Sequence, residues 1–127
     1  MSMKKLVYFL PAALYYALIF FLSSRTHGIE IYLPMADKAA HCLEYAGLAL
    51  LMAFGFFKSL NPSFSLKRKA ALAVSSALIL ALLDETHQYF VPGRQAEILD
   101  LLADSIGAFI GLVAYIYLSR RIKGGET

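Results

Sequence analysis

The sequence predicts an all-α polytopic membrane bundle of four transmembrane helices, and three observations carry that expectation. Of the 127 residues, 59% are apolar, above the roughly 45–50% usual in soluble domains. The apolar residues gather into four segments, each close to the ~20 residues that a helix needs to cross the hydrocarbon core. The Lys and Arg residues fall between these segments rather than within them. A chain of this length makes one domain. In water it would leave much apolar side chain exposed, whereas lipid accepts it.

The first segment covers residues 6–24. Lys4 and Lys5 precede it, as in a secretory signal, but its apolar stretch exceeds the usual ~7–15 residues and no A-x-A-like site follows Leu22, so a retained helix is expected. Pro11 lies in its first turns, where a proline is tolerated. Arg25 to Ala36, with Gly28 and Pro34, reads as a loop. The second segment covers residues 39–57. In the connection from Lys58 to Lys69, Asn61 is a candidate cap and Pro62 a helix opener. The third segment covers residues 70–91. Only Pro92-Gly93 and a few polar residues separate it from the fourth, residues 98–119, so these two helices are expected as antiparallel neighbours. Residues 123–127 read as a short disordered tail.

Orientation follows from the basic residues. Lys4, Lys5, Lys58, Lys67, Arg68, Lys69, Arg120, Arg121 and Lys123 share one side of a four-span arrangement, against Arg25, Lys38 and Arg94 on the other. Both termini are therefore expected on the cytoplasmic side of the cell membrane. The formal charge of +3 is scattered rather than drawn into a stripe, which excludes nucleic acid as a partner. The single cysteine, Cys42, excludes an internal disulfide and reads as a small packed residue.

The acids fall on the opposite side from most of the bases. Glu30, Asp37, Glu44, Asp84, Glu85, Glu97, Asp100 and Asp104 lie at the outer face, together with His27, His41 and His87. An ionisable group inside a membrane helix is unfavourable by about 2.5–3.5 kcal/mol at mid-bilayer, and such groups face a bundle interior, a partner or water. Asp37, His41 and Glu44 share one face of the second helix, continued by Leu48 and Gly55. Asp84, His87 and Gln88 share a face of the third, running back through Ala81, Ala77 and Ala73. Asp100 and Asp104 share a face of the fourth that continues as Gly107 and Gly111, a G-x-x-x-G pattern that lets helix backbones approach closely. Three acidic faces are thus expected to converge, with Asp104 pointing inward toward His41, Glu44, Asp84 or His87. The candidate ligand-binding set is Asp37, His41, Glu44, Asp84, Glu85, His87, Gln88, Arg94, Asp100 and Asp104. Three cations cannot neutralise eight carboxylates, so a cationic ligand or partner, protonation or solvation must make up the difference.

Chemistry beyond binding has thinner support. Carboxylates and histidines on facing helices are ingredients of bundle metal sites. Without H-E-x-x-H, a C-x-x-C pair or an EF-hand loop, no metal ligand and no cofactor is assigned. Ser23-Ser24 sits in no G-x-S-x-G elbow, and serines at a helix end usually bond to backbone. The phosphate-loop and dinucleotide fingerprints are absent, as is the K…R-P, P-S-G-H and S-R…H set of acid-phosphatase-type lipid phosphatases.

Four elements carry a family likeness: F-L-S-S at Phe21 to Ser24, D-K-A-A-H-C-L-E-Y at Asp37 to Tyr45, D-E-T-H-Q-Y-F-V-P-G-R at Asp84 to Arg94, and D-L-L-A-D-S-I-G-A-F-I-G at Asp100 to Gly111. In this order they resemble the VanZ-like family of small membrane proteins, named for a protein linked to teicoplanin resistance. Ala103 is a mild departure, at a position where the pattern often has another small or polar residue. The resemblance implies a polytopic helical domain and, for some members, lowered susceptibility to lipoglycopeptides; it implies no reaction. The expectation is a cell-envelope protein whose outer polar cluster binds a ligand or partner, such as a lipid-linked envelope precursor. A membrane enzyme acting on such a precursor and a structural or assembly subunit are the alternatives, with binding favoured over catalysis.

Overall fold

A computed structural model describes residues 3–25, 35–94 and 96–124. His27, Glu30, Gly28 and Pro34 lie outside the described residues, as does the end of the tail. A helical turn (Met3–Leu6) and a 3-10 turn (Val7–Phe9) lead into α1 (Leu10–Ser23). They are followed by α2 (Ala36–Ser59), α3 (Leu66–Phe90) and α4 (Ile98–Gly124). Among the described residues there is no strand, and the all-α expectation holds.

The boundaries have local causes. Pro11 has no N–H to return to the Val7 carbonyl, which instead accepts from Leu10 N, giving the tighter 3-10 turn ahead of α1. Asn61 does not cap a helix. Its side chain accepts from Ser63 N at 3.0 Å in a local turn. The cap of α3 is Ser65, whose Oγ accepts from Arg68 N at 3.2 Å. This helix therefore starts about one turn before the apolar segment, and Lys67, Arg68 and Lys69 become its first turn. Arg94 N donates to Val91 O at 3.1 Å across Pro92-Gly93. Gly93 has φ 83°, the left-handed geometry that a type II turn requires after proline. The antiparallel α3–α4 pairing rests on that turn.

Of the four apolar segments, α2 and the Ile98–Ile122 stretch of α4 are long and apolar enough to cross a membrane alone. The apolar part of α1 is shorter, Val7–Ser23. The third helix has basic residues at its start and Asp84, Glu85 and His87 near its end, which leaves it too few uncharged residues.

Packing places small side chains inside and large apolar ones outside. Ala12, Ala49, Ala53, Ala73, Ala77, Ala81 and Ala108 are buried, whereas Leu14, Leu43, Ile79, Leu83, Leu102, Phe109 and Val113 are exposed. Water would select the reverse; lipid, as apolar as leucine, leaves close packing and polar contacts to hold helices together. The tightest approach is α2 against α4. A Cβ at Gly107 would collide with the Cys42 carbonyl oxygen, and one at Gly111 with the Ala46 carbonyl oxygen. Cys42 thus contributes its backbone to the seam. The first helix lies on α2 through aromatic rings: Gly47 makes room for Tyr15 and Gly55 for Phe9. Tyr16 ties α1 to α3, its hydroxyl donating to Leu80 O at 3.2 Å.

These glycines are not equivalent. Gly111→Val should destabilise by about 3 kcal/mol, the upper end of overpacking, because the obstruction is backbone. Gly47→Ala should lose less, because the nearest atom to its Cβ, at 2.6 Å, is the movable Tyr15 hydroxyl. Thermal unfolding in detergent, followed by circular dichroism, checks the order; equal losses would contradict the α2–α4 seam.

Candidate functional site

At the end of the bundle where α1 stops and α2 begins, the polar residues form two networks, one on each side of α3. Neighbouring residues on a helix point about 100° apart, so Asp84 and Glu85 are both buried because this end of α3 is covered on two sides. Asp84 turns toward α1, and Glu85 toward α2 and α4.

On the α1 side, Asp84 Oδ1 accepts from Ser23 Oγ at 2.6 Å and its Oδ2 accepts from Gln88 Nε2 at 3.0 Å. The other end of that amide, Gln88 Oε1, accepts from Arg94 Nη2 at 3.0 Å. Arg94 therefore reaches Asp84 through Gln88, brought back by the Pro92-Gly93 turn, and does not pair with Asp100. Ser24 Oγ donates to Phe20 O at 2.6 Å and stands 2.9 Å from His87 Nε2. His87 stacks on the Phe20 ring, centroids 4.2 Å apart.

On the other side, His41 Nδ1 lies 3.0 Å from Asp104 Oδ1. With the carboxylate ionised, Nδ1 carries the proton and donates. Glu85 Oε1 lies 3.9 Å from the same nitrogen, and Glu85 Oε2 accepts from Glu97 N at 3.2 Å. Toward the surface, Lys38 pairs with Asp100 and with Glu97, the latter at 2.7 Å. Beneath the cluster lie Tyr45, Leu48, Ala81 and Ala108, all fully buried, so the polar layer rests on an apolar floor.

The sequence-derived residues therefore fall into three groups. Asp84 and His87 meet the end of α1, with Gln88 and Arg94 extending the chain from Asp84, and His41, Glu85 and Asp104 meet one another. Asp100 is matched by Lys38. Asp37 stays exposed at the rim, 3.6 Å from Lys38, and Glu44 is half-buried with no hydrogen-bond partner among the described residues. Asp104 points inward, against His41. The residues that sequence reasoning missed are Ser23 and Ser24, read as local backbone capping, and Lys38, counted only toward orientation. Both serines do bond to the Phe20 carbonyl, and each also makes a cross-helix contact. Their position at the acidic end of the bundle was the available signal.

An apolar groove of about 360 Å³ opens beside the second network, lined by Leu82, Glu85, Tyr89, Phe90, Glu97 and Leu101 among others. Glu85 belongs both to the groove wall and to the buried cluster.

Comparison with protein families matches residues 2–120 to the VanZ/LLP1 family model. Neither a curated protein nor a solved structure matches the chain.

Removing the Lys38 ammonium leaves Asp100 buried and unpaired. Lys38→Met should destabilise by about 3 kcal/mol, the scale of a broken buried ion pair. Adding Asp100→Asn should restore most of that loss. Denaturation of the two single variants and the double variant measures the coupling, and strict additivity would show that the pair is not formed.

Proposed function

The chain belongs to the VanZ/LLP1 family, and from that premise we propose that it is a multi-pass cell-membrane protein of the envelope whose outer polar cluster binds a ligand or partner. In this reading all four helices cross the bilayer and both termini are cytoplasmic. The first and third helices enter with help from their neighbours, because the acids of α3 are buried against protein rather than lipid. The outward-facing leucine, isoleucine and phenylalanine side chains form the lipid contact.

One observation carries the binding role: carboxylates at this end outnumber the cations that meet them. Lys38 serves Asp100 and Glu97, and Arg94 serves the Asp84–Gln88 chain. Buried oxygens on Glu85 and Asp104 are left with no donor among the described residues. A structural staple would satisfy both partners, since an unsatisfied buried polar group is unfavourable by about 1–3 kcal/mol.

A second reading, an enzyme acting on a lipid-linked envelope intermediate, draws on the groove. Its apolar wall suits a lipid chain, and Glu85 and Glu97 stand on its border. The Ser24 hydroxyl stands 2.9 Å from His87 Nε2, and turning its proton from the Phe20 carbonyl to that nitrogen would pair a nucleophile with a base. Incubating purified protein with envelope lipids separates the two readings: product formation supports the enzyme, and a binding isotherm without turnover supports the binding protein.

The family's link to lipoglycopeptides makes teicoplanin susceptibility the phenotype to follow. Asp84→Ala, His87→Ala, Arg94→Ala and Asp104→Ala should each abolish any shift in susceptibility while the protein still accumulates in the membrane. Full activity in all four would remove the cluster as the site. For topology, a cysteine placed at Ser63 in a Cys42→Ser background should react with an impermeant thiol reagent only after the cells are opened. Labelling of intact cells would invert the assigned orientation.

A further inference from the structure

The second network contains a set of donors that the hydrogen bonds around it do not use up. His41, Glu85 and Asp104 come from α2, α3 and α4, one from each helix. A nitrogen or oxygen from each lies within 4.8 Å of those from the other two. Glu85 is 6% exposed and Asp104 is 1% exposed. Glu85 Oε2 accepts from Glu97 N, and Asp104 Oδ1 is matched to His41 Nδ1. Glu85 Oε1 and Asp104 Oδ2 are buried with no partner among the described residues. Two buried carboxylate oxygens beside an imidazole, with no donor for either, are a place that a proton, a water or a cation would satisfy.

The described cations of this end are engaged elsewhere. Lys38 is held by Glu97 and Asp100, Arg94 donates to Gln88, and the Arg25 guanidinium lies 4.6 Å over the Phe21 ring. The other trio of potential ligands here, Asp37, His41 and Asp100, already contains the Lys38 ammonium between its two carboxylates.

We propose that His41, Glu85 and Asp104 form a divalent transition-metal site of the zinc type, with at least one coordination position left to an outside ligand. The proposal rests on the reading of this end as a binding site and names what that site holds. Ligands about 2.1 Å from one ion, at tetrahedral or octahedral angles, stand about 3.0–3.4 Å apart. His41 Nδ1 and Asp104 Oδ1 already stand at 3.0 Å; an ion there replaces the proton between them, and the neutral imidazole carries its proton on Nε2 instead. Glu85 Oε1, at 3.9 Å from His41 Nδ1, has to close by about half an ångström toward that nitrogen, and the whole trio lies within 4.8 Å. One imidazole with two carboxylates favours a borderline ion over magnesium or calcium, which prefer all-oxygen shells. Three protein donors do not complete a shell, and in zinc proteins such an incomplete shell binds water or an anionic ligand. Glu85 also borders the apolar groove, so a ligand with an anionic head and a lipid tail fits both features together.

The test uses the full chain purified in detergent, stripped with EDTA and titrated with zinc chloride by calorimetry. One ion per chain is expected, undisplaced by excess magnesium. Glu85→Gln and Asp104→Asn, which keep shape, should each weaken binding by about 10-fold or more, while Asp37→Asn leaves it unchanged. Cobalt(II) on the unsubstituted protein provides a measurement that needs no variant: visible bands distinct from those of the hydrated ion are expected. Absence of stoichiometric binding, a hydrated-ion cobalt spectrum, or zinc affinity that survives both carboxylate substitutions overturns the metal site. Loss of binding in Asp37→Asn overturns it too, in favour of the rim trio. The two readings fail separately. Susceptibility lost in Asp84→Ala and Arg94→Ala without zinc binding removes the metal and keeps the binding end. Zinc binding with susceptibility unaffected by those two variants does the reverse.

Discussion

The contact on which the rest depends is the backbone approach of α4 to α2 at Gly107 and Gly111. With no side chain at either position, the α4 backbone comes against the Cys42 and Ala46 carbonyls, close enough for Cα–H···O contacts that add modestly to dispersion. The register set there is what places Asp104, one turn before Gly107, against His41, the residue preceding Cys42. Asp100, one turn further out, then comes within reach of Lys38. A single close approach thereby positions both charged pairs between these helices, and any side chain at Gly107 would force them apart.

The distribution of side-chain size follows from the same constraint. Helices that touch through backbone need alanine and glycine between them, and the bundle interior is dominated by alanine. Most bulky apolar residues turn outward, with Ile19, Tyr45 and Leu48 among the buried exceptions. Such a surface would drive aggregation in water, but in lipid it is the solvated face. The polar cluster completes the pattern, since a carboxylate cannot sit among those outward side chains without a large desolvation penalty. Acids therefore share the interior with the small residues, at the end where flanking helices cover them.

Within that interior the two networks differ in completeness. Around Asp84 each carboxylate oxygen has a neutral donor, and the Gln88 amide relays Arg94 to it. Both Asp84 oxygens are thereby satisfied at the α1–α3 contact, although Arg94 Nε is left buried with no partner among the described residues. Around His41 the count of donors falls short of the count of acceptors. A fully satisfied network rigidifies, whereas a partly satisfied one keeps buried polar groups at a free-energy cost. The two sides of α3 therefore differ: Asp84 has a donor for each oxygen, whereas Glu85 Oε1 and Asp104 Oδ2 have none among the described residues.

Much of this was legible along the chain. Helix type and number follow from segment length and apolarity, and the α3–α4 pairing from Pro92-Gly93, because these depend on neighbours in sequence. The gathering of acids at one end was also readable, as was the alignment of Asp100 and Asp104 with Gly107 and Gly111, since a 3.6-residue period relates positions on one helix. The choice of partners was not. His41 with Asp104, Lys38 with Asp100, Ser23 with Asp84 and Ser24 with His87 each join residues about 60 positions apart. Those pairings depend on how each helix is rotated and shifted against the next, which the periodicity of a single helix does not contain. Likewise, the start of α3 at Ser65 was hidden by basic residues that are charged but helix-forming. Residue order determined which faces carry charge; the contact between backbones decided which charges meet, because register between helices exists only once they have packed.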